Sequence, residues 1–236
     1  MQKVSDLEPR SREWLPYVVT TALALALLAL VTAWVAGMSP PDALGRWGRF
    51  GVDALLTAGM KDDVLVSEGH VGLLVRAGAV HTSWSHLAVN ALAFALVGVL
   101  NWRLTAPPLR TFASAFVMLA LAVVASSAGF LASFLAGNGP SCGASAGIYG
   151  LLGALAGATW VHRQALPERL RLGVPLALTA LSLGSALVLV GNPGMDHAAH
   201  LGGWGTGLLL GAVAQYRLGR RVVAALAGAL LVVAFV

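Results

Sequence analysis

An all-α, polytopic membrane bundle is the fold class this sequence predicts, and three observations predict it. Hydrophobic residues make up 58% of the 236 and charged residues only 11%, where a soluble domain carries about one quarter charged. Mean hydropathy is +0.80. The apolar residues also run in continuous stretches, whereas the strands of a membrane barrel would alternate apolar and polar positions.

Each helical span needs about 20 apolar residues. Residues 1–14 are polar and charged, and the apolar run behind them is long enough to cross a bilayer. They therefore read as a cytoplasmic segment and not as a cleavable signal. The first span is expected over 15–37. A long polar-mixed loop, 38–84, follows and holds Asp42, Asp53, Asp62, Asp63 and Glu68. Spans two and three are expected over 85–102 and 109–135, and a short Gly/Pro/Ser loop at 137–141 leads into span four, 143–161. Span five is expected over 173–190, a turn over 191–196 and span six over 198–216. The last apolar run, 222–236, reaches about 22 Å at 1.5 Å per residue, short of a bilayer core of about 30 Å, and reads as a short seventh span, with a tilted partial span or an amphiphilic tail as the alternatives. The organisation expected is thus a cytoplasmic segment 1–14, one catalytic membrane domain 15–216, and a basic linker with a C-terminal apolar segment 217–236.

Charge sets the orientation. The net charge of +5 and pI near 10.1 would suggest nucleic acid in a soluble protein, but here the basic residues sort by loop. Lys3, Arg10 and Arg12 precede span one; Arg103 and Arg110 lie between two and three; Arg163, Arg169 and Arg171 lie between four and five; Arg217, Arg220 and Arg221 follow six. The two short loops on the other side have no Lys or Arg, and the long loop with Arg46, Arg49, Lys61 and Arg76 counts for less. The N-terminus is expected in the cytoplasm and the long loop outside, with the bilayer and not nucleic acid as the partner. Arginine over lysine and the alanine-rich usage point to a bacterial inner (plasma) membrane. Cys142 is the only cysteine, so no intrachain disulfide forms.

This topology brings four polar positions to one depth. Ser145 lies near the outer end of span four, His200 near the outer end of span six, and His86 and Asn90 at the outer start of span two. Polar groups at membrane depth are costly and tend to be functional. Ser145 sits in Gly143-Ala144-Ser145-Ala146-Gly147, close to a helix start whose free backbone N–H groups face a developing oxyanion. Alone, that string also reads as small residues easing helix packing. Gly203, Gly207 and Gly211 repeat every four residues after His200, and span four has Gly143 and Gly147, then Ala146, Gly150 and Ala154, at the same spacing. Two such helices approach closely, which would place His200 Nε2 within reach of Ser145 Oγ, as an activated serine requires. His86 and Asn90, four apart, share a helix face and are natural oxyanion donors, or else interhelical polar contacts.

The absences narrow the chemistry. No carboxylate lies within a span, which argues against an intramembrane aspartyl protease, a carboxylate proton relay and a cation-coupled transporter. His197 and His200 stand at i, i+3, but there is no HExxH and only Asp196 nearby, so no metal and no cofactor are expected. A serine–histidine dyad works without a carboxylate, because the third group of a triad mainly orients the imidazole.

The string His81-Thr-Ser-Trp-Ser-His86-Leu-Ala-Val-Asn90, then GASAG with Tyr149, then AHLGGWGTG resembles the rhomboid intramembrane serine proteases, in family order over roughly Gly72 to Gly211. The resemblance implies a rhomboid-like bundle of six transmembrane helices, here with the short seventh. It implies Ser145 as nucleophile and His200 as general base. His86, Asn90 and the Ser145 N–H would form the oxyanion site. Tyr149 would stack on the His200 ring, and His81 would tie the first loop to span two. Substrates would be transmembrane segments of other proteins. Two positions depart from the family pattern. Ala146 stands where the family has Gly; its methyl is read as tolerated, the alternative being that it crowds the oxyanion site or the contact of spans four and six. Gly72-Leu73 stands where the family has a Trp-Arg pair that braces the first loop, with Arg76 a candidate substitute. The rival readings are a rhomboid-like pseudoprotease, or a scaffold that binds client helices without cutting them.

Overall fold

A computed structural model describes residues 14–39, 49–104, 112–187 and 194–235, and ten α-helices stand among them. They are α1 (Leu15–Met38), α2 (Val52–Ala58), α3 (Asp63–Ser67), α4 (Leu73–Arg76), α5 (Trp84–Leu104), α6 (Phe112–Leu135), α7 (Ser145–Val161), α8 (Gly173–Leu187), α9 (His197–Val213) and α10 (Arg217–Val233). This is a polytopic helical membrane bundle of rhomboid-like form. The segment 1–13 and the loop arginines Arg46 and Arg110, used above for orientation, lie outside the described residues, as do Asp42 and residues 188–193 of the expected span five and turn.

Local chemistry starts the helices. Pro16 sits in the first turn of α1, where a missing N–H costs nothing. Ser83 Oγ accepts from His86 N at 3.1 Å and caps α5. Asp62 caps α3, accepting from Val64 N and Leu65 N, and Asp196 caps α9, accepting from Ala199 N at 3.0 Å. By length and composition alone, α1, α5 and α6 are apolar enough to cross a membrane. α7, of 17 residues, is shorter, yet most residues of its first four turns are buried inside the bundle.

Packing is closest between α7 and α9. A methyl on Gly203, Gly207 or Gly211 would overlap the backbone of Ala146, Gly150 or Ala154 respectively. The two small-residue rows therefore face each other and let the backbones touch. Gly147 does otherwise: it faces α6, at Ala122 O and Ser126. α6 closes the other side of both helices, and a Cβ on its Gly129 would meet the carbonyl of Ala199 and the methyl of Ala146. α1 packs on α5, where the Tyr17 ring covers Gly98 and its hydroxyl donates to Ala95 O at 2.6 Å.

The described part of the first loop, 49–83, packs on this bundle. Val35 of α1 packs with Ala54, Leu55, Ala58, Met60 and Val80, which anchors α2 and the loop's end. The C-terminal apolar run begins its helix at Arg217, five residues before the stretch expected from hydropathy, because the arginines are themselves good helix formers. α10 spans about 25 Å. Its last turn lies against α4: a Cβ at Gly72 would stand 2.8 Å from Val233 O. α10 thus runs the depth of the bundle to the first loop, and the position of the missing Trp-Arg pair is filled by a helix end instead of a side chain.

Candidate active site

Three helix starts and one loop meet at one end of the bundle. Gly143 precedes α7 with φ +131, a conformation that side chains rarely adopt. Space demands glycine there as well, since a Cβ would lie 2.9 Å from His86 Nε2 and 3.5 Å from Asn90 Nδ2. Gly143 N donates to Ala77 O at 2.9 Å, tying this turn to the first loop. The chain then enters α7 with Ser145 as its first residue. The N–H groups of that first turn have no partner within the helix.

Ser145 Oγ and His200 Nε2 are 2.8 Å apart. α9 brings the histidine there because the Gly203–Gly207–Gly211 row seats it directly on α7. Tyr149, one turn into α7, lies against the imidazole with ring centroids 4.5 Å apart and planes at 34°. Its hydroxyl donates to Ser185 O of α8 at 3.1 Å. His200 Nδ1 is buried with no hydrogen-bond partner, so the ring is held by packing and not by a carboxylate. For Nε2 to accept from the serine, Nδ1 must carry the proton.

His86 and Asn90 open α5 across from the serine. Thr82 Oγ1 lies 3.1 Å from His86 Nδ1, and Thr82 N donates to the same nitrogen at 3.5 Å. Nδ1 is therefore the acceptor, and Nε2 carries its N–H toward Gly143. Asn90 is 5% exposed and its Nδ2 has no partner. A buried amide donor left unpaired is rare and asks for an explanation. The arrangement can thus remove a proton from a hydroxyl and offer several N–H donors beside it.

The other expected residues sit nearby in different relations. His81 is fully buried; its Nδ1 faces Ala79 O at 3.2 Å and its Nε2 accepts from Ala144 N at 3.5 Å. It links the loop to the residue before Ser145. Burial, followed by the neighbouring His86, pushes its pKa down to about 4. His197 stands edge-on to His200 at 6.4 Å, outside the serine's contacts. The Ala146 methyl packs with Ala77, Phe130 and Ala199 of α9 and faces Gly129 of α6, so it sits in the contact of α7 with α6 and α9. Arg76 lies along Gly59 of the first loop. Thr82 and Asp196 were not singled out by sequence reasoning. An N-cap rule would have found Asp196, just ahead of an apolar helix. Nothing local marks Thr82.

The Rhomboid domain model matches residues 69–217. The chain is 30% identical over 156 residues to the rhomboid protease GluP of Bacillus subtilis (strain 168), which covers 66% of this chain and 28% of that protein. It is 27% identical over 227 residues to RHOMBOID-like protein 4 of Arabidopsis thaliana, covering 87% of this chain and 54% of that protein. The chain therefore spans less than two thirds of the length of either relative.

Proposed function

The chain belongs to the rhomboid family, and on that premise we propose that it is an intramembrane serine endopeptidase acting through Ser145 and His200. The observation that carries the proposal is the 2.8 Å approach of His200 Nε2 to Ser145 Oγ at the start of α7, with unpaired donors beside it. His200 takes the serine proton as Oγ attacks the scissile carbonyl of a substrate's transmembrane segment. The oxyanion of the tetrahedral intermediate is met by the Asn90 amide, His86 Nε2–H and the Ser145 N–H. His200 then returns the proton to the leaving amine, and water hydrolyses the acyl-serine by the same steps in reverse.

The location of the site sets its demands. Water must arrive from the outer end, above α5, α7 and α9. A substrate helix must unwind locally, because helical backbone is hydrogen-bonded to itself. Gly or Ala near the cleaved bond eases that. The protein is a multi-pass membrane protein; a cytoplasmic N-terminus, a bacterial inner membrane and a site that opens outward complete the proposal.

The test uses purified protein in detergent or liposomes with a model transmembrane substrate and a fluorophosphonate probe. Wild type cleaves the substrate and is labelled at Ser145, while Ser145→Ala and His200→Ala do neither. Equal cleavage by Ser145→Ala overturns the assignment. A wild type that binds client helices but neither cleaves nor labels would make it a pseudoprotease.

A further inference from the structure

A second polar cluster lies beside the dyad and has no part in the chemistry just described. Lys61, in the first loop between α2 and α3, is fully buried. Its Nζ pairs with Asp63 Oδ1 at 2.6 Å and donates to Ser133 Oγ of α6 at 2.8 Å. Ser133, also fully buried, donates its own proton to Asp196 Oδ2. Asp196 Oδ1 accepts from Asn138 Nδ2 at 2.9 Å and from Ala199 N at 3.0 Å, the cap of α9. A relay runs from ammonium to hydroxyl to carboxylate, with every proton assigned one direction by the charges at its ends. Burial acts against the Asp196 charge, yet hydrogen bonds, Ser133's first, hold its carboxyl below the usual value.

The same lysine grips the other half of the site through its backbone. Lys61 N donates to Ser141 O and Ser141 N to Lys61 O, both at 3.0 Å. Asp63 Oδ2 accepts from Gly139 N at 2.9 Å in the same loop. That loop ends at Gly143, two residues before the nucleophile. The side chain therefore reaches the cap of the histidine helix while the backbone holds the approach to the serine.

Resting on the protease reading above, we propose that Lys61 is a positioning residue for the dyad: through Ser133 and Asp196 it registers the start of α9, and with it His200, against the loop that presents Ser145. The physical case is one of specificity. Burying an ion pair contributes little net stability, because desolvation offsets the attraction, but it punishes every geometry that breaks it. A cap on one helix, an ammonium in a loop and a hydroxyl on a second helix can all be satisfied in only one arrangement. That arrangement is the one in which Ser145 and His200 meet at hydrogen-bond distance. The first loop thereby acts on catalysis through α9 without touching substrate.

The experiment compares wild type, Lys61→Met, Lys61→Arg and Ser133→Ala in detergent. It reads substrate cleavage, the rate of fluorophosphonate labelling of Ser145 and thermal unfolding. Displacing His200 by a fraction of an ångström should lower kcat about tenfold or more in Lys61→Met with KM nearly unchanged, and slow labelling by the same factor. Lys61→Arg, which keeps the charge, recovers most of the rate. Ser133→Ala removes only the relay hydroxyl and gives the same direction of loss if Lys61→Met does not fold. Wild-type labelling rates per folded molecule in Ser133→Ala or Lys61→Met, with or without a lowered melting temperature, overturn the inference. A wild type that neither labels nor cleaves refutes the protease reading instead, so the two failures appear in different samples.

Discussion

Acidification should loosen the site through His81. The ring is fully buried, and burial with the adjacent His86 lowers its pKa from 6.5 to about 4. The unfolded chain then binds a proton between those two values that the folded chain refuses. Stability contributed by neutral His81 is complete above pH 6.5 and is lost as pH falls toward 4. The full displacement corresponds to about 3 kcal/mol, of which about 2 kcal/mol is gone by pH 5. Protonation also converts Nε2 from the acceptor of Ala144 N into a donor, which pushes on the residue before the serine. The assay is thermal unfolding in detergent at pH 7.5 and pH 5, with Ser145 labelling followed in parallel. His81→Gln keeps a neutral donor and acceptor but does not titrate, so it should lose clearly less stability than wild type over this interval. Equal losses in wild type and His81→Gln would refute the reasoning.

Other expectations follow from contacts already described. Asn90→Ala removes an unpaired buried donor, so it should cut kcat about a hundredfold or more while leaving stability unchanged or higher, read from cleavage rates and melting curves. Ala146→Gly should retain Ser145 labelling at close to the wild-type rate and cost about 1 kcal/mol of stability, because the methyl packs against α6 and glycine disfavours helix. Gly207→Val places a side chain where the backbone of Gly150 stands; it should separate α7 from α9, with melting lowered by several degrees and labelling abolished.

Residue patterning alone determined a large share of this protein. Hydropathy located the long helices to within about five residues but not α2, α3 and α4 of the first loop, because bilayer burial is a local property of each apolar stretch. The four-residue rows of Gly and Ala on α7 and α9 were legible for the same reason: helical periodicity puts them on one face before any partner is known. Matching depth then gathered Ser145, His200, His86 and Asn90 at one end of the bundle. What periodicity could not decide was which face met which neighbour. Gly147 shares the small-residue pattern of α7 yet faces α6, and the methyl of Ala146 meets both Gly129 of α6 and Ala199 of α9.

Only the tertiary structure decided the contacts that cross long stretches of chain. Lys61 and Ser133 are 72 residues apart, Ser133 and Asp196 63 apart, and no repeat, cap rule or spacing relates a loop lysine to a serine inside a helix. The proton on His86 Nε2 likewise follows from Thr82 folding back onto Nδ1, and the glycine at 72 from a C-terminal helix ending against it. The division has one physical cause. Solvent preference and helical period are written into neighbouring residues, whereas the pairing of buried polar groups depends on which distant surfaces the packed helices finally bring together.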